Sequence, residues 1–435
     1  MRYNPNNVLA GKFTSLLLAA VRVFWKILDK LGLHREKLVR LKRKGFTALV
    51  MLVVALLLVT GIGLLGLGLD SRIFAIRDSS GVAARCAADA GMTKAIFEMN
   101  EKLKVKPWDD STLPGTADEV LPGCNATFGY AVTGNSTSGY SVEATGNALE
   151  SEKKVYCDLR LMTPFESALF VQENLILKPG THVQGYNSLD SGDTDVDLQI
   201  GTNDITEDSI VLGSGVVVDG DVVVGLGGDV ETVIQDQGAT TGDRYPITSE
   251  AIFPVVTVPS LPDKGGVISA HGTTVTIGPA DSGEYDGIDL KNAANPGVLE
   301  VSGGDVVLYI TEDIDLGQSC EIIIDEGSSL VLYLEGDLIG DNDAGVNNMN
   351  VPANFKLYGV GESQSIDLKA KSDFVGAVYA PNADITIYSN GDLYGSFIGS
   401  SFEMKSSSNF YYDEALLNTS LNDAAVCFVV SNWRE

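Results

Sequence analysis

The stretch Leu41–Arg72, LKRKGFTALVMLVVALLLVTGIGLLGLGLDSR, decides how the rest of the chain is read. Phe46 to Leu69 are 24 residues without a charge. As a helix rising 1.5 Å per residue they reach about 36 Å, enough to cross a hydrocarbon core of roughly 30 Å with some tilt. Lys42, Arg43 and Lys44 stand directly before the run and Asp70 ends it. Basic residues gather on the cytoplasmic side of a span, so the N-terminus is expected in the cytoplasm. Residues 1–45 hold 11 Lys and Arg against two acidic residues, whereas the remainder holds 19 against 56. A portion that acidic repels phosphates, which argues against a nucleic acid partner.

The first 44 residues are apolar in patches, but Lys12, Arg22, Lys26 and Lys30 interrupt them. That pattern predicts a basic amphipathic helix in the membrane interface rather than a second span. A secretory signal peptide fits less well, because the apolar core Leu16–Val21 is short and no small-residue cleavage pattern follows it.

Lys44-Gly45-Phe46 followed by an uninterrupted apolar helix resembles a type IV prepilin cleavage site. The resemblance implies that a membrane prepilin peptidase cuts between Gly45 and Phe46. It also implies that the helix from Phe46 to Leu69 packs against those of other pilin-like subunits. Val50 stands where most major pilins carry Glu, which removes a registration contact with a neighbour's N-terminal amine. PilX-type minor pilin-like proteins often lack that Glu. The segment RIFAIRDSSGVAARCAADAGMTKAIFEMNEKL, with its Ala-rich AADAG step, resembles theirs as a continuing amphipathic helix. Gly61, Gly63, Gly66 and Gly68 form no G-x-x-x-G pair. The competing reading is an uncleaved single-span anchor carrying a surface binding protein.

Between Trp108 and Arg160, CNATFGYAVTG and GYSVEATGNALESEKKVYCDLRLM alternate apolar and polar side chains around Thr-Gly turns, predicting a small antiparallel sheet. It resembles the sheet that packs on the long helix in pilins. Cys124 and Cys157 lie in these strands, and an extracytoplasmic location permits a disulfide between them. Five cysteines leave one odd, and the spacing is no zinc pattern.

After Pro164 the chain turns to short Val, Ile and Leu runs separated by Gly, Asp and Asn, as in VLEVSGGDVVLYITEDIDL, with almost no helical periodicity. IDLKAKSDFVGAVYAP from Ile366 aligns with ITIYSNGDLYGSFIGS from Ile385 at an offset of 19, and a fainter copy begins at FEMKSSSNF. An offset near 20 matches one turn of a β-solenoid, whose repeats bury their apolar faces only on one another. The alternative is a β-sandwich. FVGAVYAPNADITIYSNGDLYGSFIG also resembles a domain of unknown function that often follows PilX-like N-termini in bacterial surface proteins.

Covalent chemistry has little support. His34, His182 and His271 are the three histidines, and no G-x-S-x-G elbow, P-loop or zincin helix is present. GLGGDV lacks the following helix that would present its N-terminus to a phosphate. A polysaccharide-acting enzyme stays as a third reading, because many solenoids are lyases or hydrolases with paired carboxylates. No cofactor is expected beyond calcium, for which DSGDTDVD (Asp190, Asp193 and Asp195) and GDNDAGVNN near Asp341 offer oxygen ligands. Neither fits a twelve-residue EF-hand loop. Asn125, Asn135 and Asn418 match the N-x-[ST] pattern and are read as turn residues.

The expected fold is α+β, a pilin-like transmembrane helix with a small antiparallel sheet followed by a right-handed parallel β-solenoid. The boundaries are a basic cytoplasmic leader at 1–45, the helix at 46–104, the sheet at 105–163, the solenoid at 164–415 and a tail with a final strand at 416–435. The expected protein is a non-enzymatic, single-pass inner-membrane subunit with its bulk outside, displaying the solenoid on a filament for adhesion or spacing. Its surface ligand is not named by the sequence.

Overall fold

The computed structural model describes residue 26 and residues 43–190, 196–347, 351–369, 371, 373–388 and 391–435. The chain divides into two compact units, residues 1–82 and 83–435. Helix α1, Arg43–Leu103, contains no proline and runs 61 residues. In the first unit its side chains from Val50 to Ser79 are exposed, apart from half-buried Gly61. Among the described residues it is the one helix long and apolar enough to cross a membrane.

In the second unit α1 becomes amphipathic. Ala84, Ala87, Ala88, Met92, Ala95, Met99 and Leu103 fall on one face and are buried. They pack on a five-stranded antiparallel sheet made of β1 (Gly115–Val120), β2 (Ala126–Asn135), β3 (Gly139–Ala148), β4 (Ser151–Met162) and a closing strand, Cys427–Arg434. The order is β1-β2-β3-β4-closing strand. Inward positions alternate as a half-buried sheet requires: Phe128, Tyr130 and Val132 on β2, Tyr140, Val142 and Ala144 on β3, Val155, Cys157 and Leu159 on β4. At Gly146 of β3 the helix backbone comes so close that a Cβ would lie 2.0 Å from the Ala84 carbonyl oxygen and 2.4 Å from the Ala88 nitrogen.

The last strand, expected as part of a tail, is therefore the fifth strand of this sheet, with Cys427 opposite Met162 and Val430 opposite Leu159. Everything from Phe165 to Glu414 is inserted between β4 and that strand. The insertion is a 25-stranded sheet in which every pairing is parallel, which excludes the antiparallel sandwich for the described residues.

Strands pair with those three places on, so the sheet forms three columns. One column runs through Val267–His271, Gly287–Lys291, Ile314–Leu316, Leu338–Gly340, Gln364–Leu368, then Ile385 and Phe402 in two longer strands, and on to Leu175–Leu177, Ile210–Leu212 and Ile234–Asp236. A second starts at Thr274–Ile277 and a third at Gly283–Tyr285, giving ten rungs among the described residues. The offset of 19 is the register itself: Ile366 pairs with Ile385, Leu368 with Ile387, Phe374 with Leu393 and Gly376 with Gly395. At Gly395, φ is +133° and a Cβ would fall 1.9 Å from the Gly376 carbonyl oxygen, so only glycine fits this turn. Inward side chains such as Leu290, Leu316, Leu338, Ile366 and Phe402 are fully buried.

Stack order is not chain order. Residues 267–413 climb the first seven rungs, and residues 169–246 supply the last three. The seventh rung is shared: Phe402 and Asn409 come from the end of the insertion, while Leu169–Val171 come from its beginning, bonded to Phe397–Gly399 below. Chain entry and exit thus lie side by side, which lets the insertion join two neighbouring sheet strands.

The chain must then return from the tenth rung to the first. Pro246 pairs in the tenth and Asp263 bridges Glu284 in the first. Nine strand spacings of about 4.8 Å make roughly 43 Å, and the 17 steps between these residues reach at most about 60 Å. Residues 247–262 accordingly form an extended strap with Pro254, Pro259 and Pro262. Ile247, Phe253, Val256 and Val258 pack on the outward side chains of the third column, Phe170, Val223, Tyr333, Tyr358 and Tyr379 among them. Tyr379 donates to the Pro254 carbonyl at 2.8 Å, and the Asn203 amide both donates to and accepts from Ala251.

Two outcomes test this packing. Gly146→Ala should cost about 3 kcal/mol and lower the urea midpoint of the detergent-solubilised chain. Gly66→Ala, where a Cβ meets nothing within 4 Å and alanine favours the helix, should not lower it. Deleting Val256–Leu261 leaves a strap of at most about 40 Å, too short for the span, so hydrogen exchange should rise along the whole third column, whereas deleting Val256–Thr257 leaves about 50 Å and should raise it only beside the lost Val256 contact.

Candidate functional site

The residues that tie α1 to the closing strand and to the segment leading out of the inserted sheet are gathered where α1 ends. Asn100 sits on the buried side of the helix and treats the closing strand as a partner. Its side-chain amide donates to the Phe428 carbonyl at 3.1 Å and its oxygen accepts from the Phe428 N–H at 2.7 Å. Phe428 packs edge-on to Trp108 and Tyr140, with centroids 5.8 and 5.2 Å away. The Trp108 indole N–H lies 2.8 Å from both Asp110 Oδ1 and Tyr140 Oη, and Tyr140 also donates to Asp110. The Tyr140 and Trp108 bonds, with the Ser136 backbone N–H, hold the Asp110 carboxyl down at about 2.

The segment between the stack and the closing strand, residues 418–426, is clamped from both sides. Trp108 N–H donates to Asn422 Oδ1 at 2.9 Å and Lys106 Nζ donates to the Leu421 carbonyl. Asp423 accepts from Thr419 and Ser420 and pairs with Lys356 of the fourth rung at 3.2 Å. A groove of about 950 Å³ runs beside this clamp, lined by Leu103, Val105, Lys106, Ile252 and Val255. Burial pushes the Lys106 ammonium down to about 8, with Asp423 only partly opposing it.

The residues singled out from sequence are placed as follows. Gly45 and Phe46 lie in the first turn of α1, as continuous helix. Cys124 and Cys157 are both unbridged, like the other three cysteines. Cys157 lies opposite Val142, which lies opposite Val132, so β3 stands between β4 and β2, and Cys124 lies outside the strands, in the turn just before β2 begins at Ala126. Val132 and Ala126 are six residues, about 20 Å, apart along β2, and β4 stands two strand spacings away, against the roughly 7 Å that a disulfide can span. Cys157 instead faces Met92 Sδ at 3.2 Å, and burial pushes its thiol up to about 11, an inert state.

Asp190 is exposed, and Asp193 and Asp195 lie outside the described residues. Asp341 is engaged by Lys369 at 2.6 Å. Among the described residues no group of three or more His, Cys, Asp or Glu could hold a metal ion. His182 pairs with Asp219 at 2.9 Å and His271 with Asp289 at 3.2 Å. The two histidines stand seven rungs apart, roughly 33 Å, too far for one catalytic pair. Asn135 accepts from the Thr137 and Ser138 N–H groups and so closes the β2–β3 turn. The rooting residues Asn100, Trp108 and Asp423 escaped sequence reading because their partners lie more than 300 residues away or on the stack.

Comparisons with known proteins reach the same regions. Residues 257–419 match the family model of a domain of unknown function, DUF7305. That range takes in the end of the strap, the first six rungs and the part of the seventh that residues 402–413 supply, and leaves out the rungs supplied by residues 175–246. No curated protein matches the chain. Among solved structures, the competence-associated pilin ComZ from Thermus thermophilus aligns at 12% identity, over 82% of this chain and 97% of its own, with a TM-score of 0.25.

The Lys106 pKa has a measurable consequence. An unfolded lysine titrates near 10.4. Between about 8 and that value the unfolded chain holds a proton the folded chain has released, so stability should rise with pH through this window. Lys106→Met should flatten the rise between pH 8 and 10 in chemical denaturation and leave neutral-pH stability equal or higher.

Proposed function

We propose that the chain is a pilin-like structural subunit of a type IV pilus or a related secretion filament, and that the inserted sheet is a right-handed β-solenoid displayed outside the cell for adhesion or spacing. The observation that carries this reading is the closure of the five-stranded sheet by Cys427–Arg434. It joins the part of α1 from Ala83, the sheet and the insertion within one unit, with Asn100 tying the helix to the closing strand and Asp423 tying the connecting segment to the stack. Right-handedness follows from the strong bias of parallel crossover connections.

In this reading residues 1–45 are a cytoplasmic leader, a prepilin peptidase cuts after Gly45, and the span from Phe46 to Leu69 stands in the inner membrane before packing against other subunits. The stem supports it in a specific way. Gly61, Gly63, Gly66 and Gly68 each cost helix stability, about 1 kcal/mol relative to alanine, yet a side chain at any of them would touch nothing described within the chain. Their use then lies in contacts with other helices. The subunit performs no covalent chemistry and binds no nucleic acid.

A second reading, an uncleaved anchor for a surface binding protein, is favoured by Val50 at the position where most pilins carry Glu. Intact mass or N-terminal sequencing of the protein extracted from membranes of its native host separates the two. A chain beginning at Phe46 is the expected result, and a chain still carrying residues 1–45 would put the anchor first.

A further inference from the structure

We infer that the slot between the closing strand and the strap receives an extended segment of another polypeptide, apolar at alternate positions and basic at one end, which adds to the five-stranded sheet as a sixth strand. This inference stands on the geometry of the second unit and does not rest on the filament reading.

The closing strand is an edge of that sheet, paired with β4 on one side only among the described residues. Asn100 takes both backbone groups of Phe428, so those groups point away from β4. Two residues on, in the same pleat, the N–H and C=O of Val430 point the same way and meet no partner among the described residues. Across the slot the strap is in the same state. Ala251 is held by Asn203 and the Pro254 carbonyl by Tyr379, but the backbone groups of Ile252 and Val255 are unpaired among the described residues. Exposed backbone of this kind is a template for strand addition.

A cleft opens on each face of the sheet at this edge, and both are lined by Ser249, Ile252, Val429 and Val430. The groove of about 950 Å³ lies on the side of α1, the side shared by Val430 and Leu159 opposite it. The other, of about 510 Å³, lies on the side of Val429 and Arg160. A guest strand that alternates its side chains fills the two in turn, and about four residues cover the roughly 13 Å from Cys427 to Val430. Ile252, Val255, Val105 and Val430 are 63, 80, 70 and 40% exposed, and all four line the larger groove. They form an apolar patch beside an open backbone edge, which is where a partner binds.

Charge selects the rest of the guest. At the rims Arg160 pairs with Glu166, Lys104 with Glu101 and Lys356 with Asp423, and Lys106 is engaged with the Leu421 carbonyl. Glu250, exposed at the mouth of the smaller cleft, has no such partner among the described residues. A basic residue of the guest completes that pairing. An acidic segment would instead meet a chain that carries 56 acidic against 19 basic residues beyond position 45. A second copy of the closing strand fits less well, because Asn432 has φ +49° and the register shifts between Ser431 and Arg434, which turns the strand out of line where a two-fold pairing needs it straight.

Amide hydrogen exchange of the full chain in detergent, with the peptide acetyl-Lys-Val-Thr-Val-Thr-Val-amide as probe, tests the site. The peptide should slow exchange at Val430, Ile252 and Val255 and leave Phe428, whose amide is already bonded, unchanged. The same peptide with N-methylated backbone amides, or with Glu in place of Lys, should bind about tenfold more weakly. Val430→Pro, which removes a donor aimed away from β4, should weaken binding about tenfold as read at Ile252 and Val255. Ile252→Asp, at an exposed position, should abolish protection of Val430 with an unchanged thermal midpoint, so loss of folding and loss of binding are separated. Equal binding of the N-methylated or acidic peptide, absence of protection at Val430, or undiminished binding by a folded Ile252→Asp variant would overturn the assignment. Protection that grows with protein concentration in the absence of peptide would also overturn it, in favour of a second copy. The readout is independent of where the N-terminus is cut, so it can fail while the filament reading holds.

Discussion

The hydrogen bonds between Phe397–Gly399 and Leu169–Val171 are the constraint on which the second unit depends. They set the first strand of the insertion onto its last turns, so a single rung contains both the way in and the way out. A stack filled in chain order would leave its two ends about 43 Å apart at ten rungs, and a long connection would be needed to bring the closing strand beside β4. With the shared rung, Thr163 and Glu414 emerge close enough for residues 418–426 to reach the sheet. The buried Asp413 carboxylate secures the exit by accepting from Ser188 N–H, Ser188 Oγ and Ala415 N–H, which satisfies a charge that burial would otherwise penalise.

The strap is the consequence of that arrangement. Placing 169–246 at the far end of the stack obliges the chain to travel back along all ten rungs before it can begin the first. The travelling segment is apolar where it crosses Phe170 and Tyr379, and it carries prolines that cannot donate to a ladder, so it covers the third column without pairing into it. This explains why the outward positions of the third column are aromatic and aliphatic: the protein's own chain roofs them.

Local pattern was legible wherever neighbours in sequence make the structure. The uncharged run from Phe46, the alternation through β2 to β4 and the 19-residue offset at Ile366 each correspond to an element or a register in the molecule, because each is set by periodicity along one short segment. Cys124 and Cys157 mark where such reading stops. Both sit in the expected sheet region, but β3 comes between them, and strand order is a property no single segment encodes. The final strand expected within 416–435 is present as Cys427–Arg434, but its partner is β4, more than 260 residues earlier, which the segment itself does not encode.

By itself the sequence determined an apolar stem of spanning length, a strongly acidic remainder, a small antiparallel sheet and a β-rich region with parallel repeats, all of which follow from composition and short-range spacing. Only the tertiary structure decided that the β-rich region is an insertion in the sheet, that its rungs are filled out of chain order and that a strap returns along one face. Those features arise from backbone pairings between residues hundreds of positions apart. Loop-closure entropy grows only slowly with such separation, so many pairings compete, and the choice falls to whichever buries the most apolar surface with every backbone group bonded.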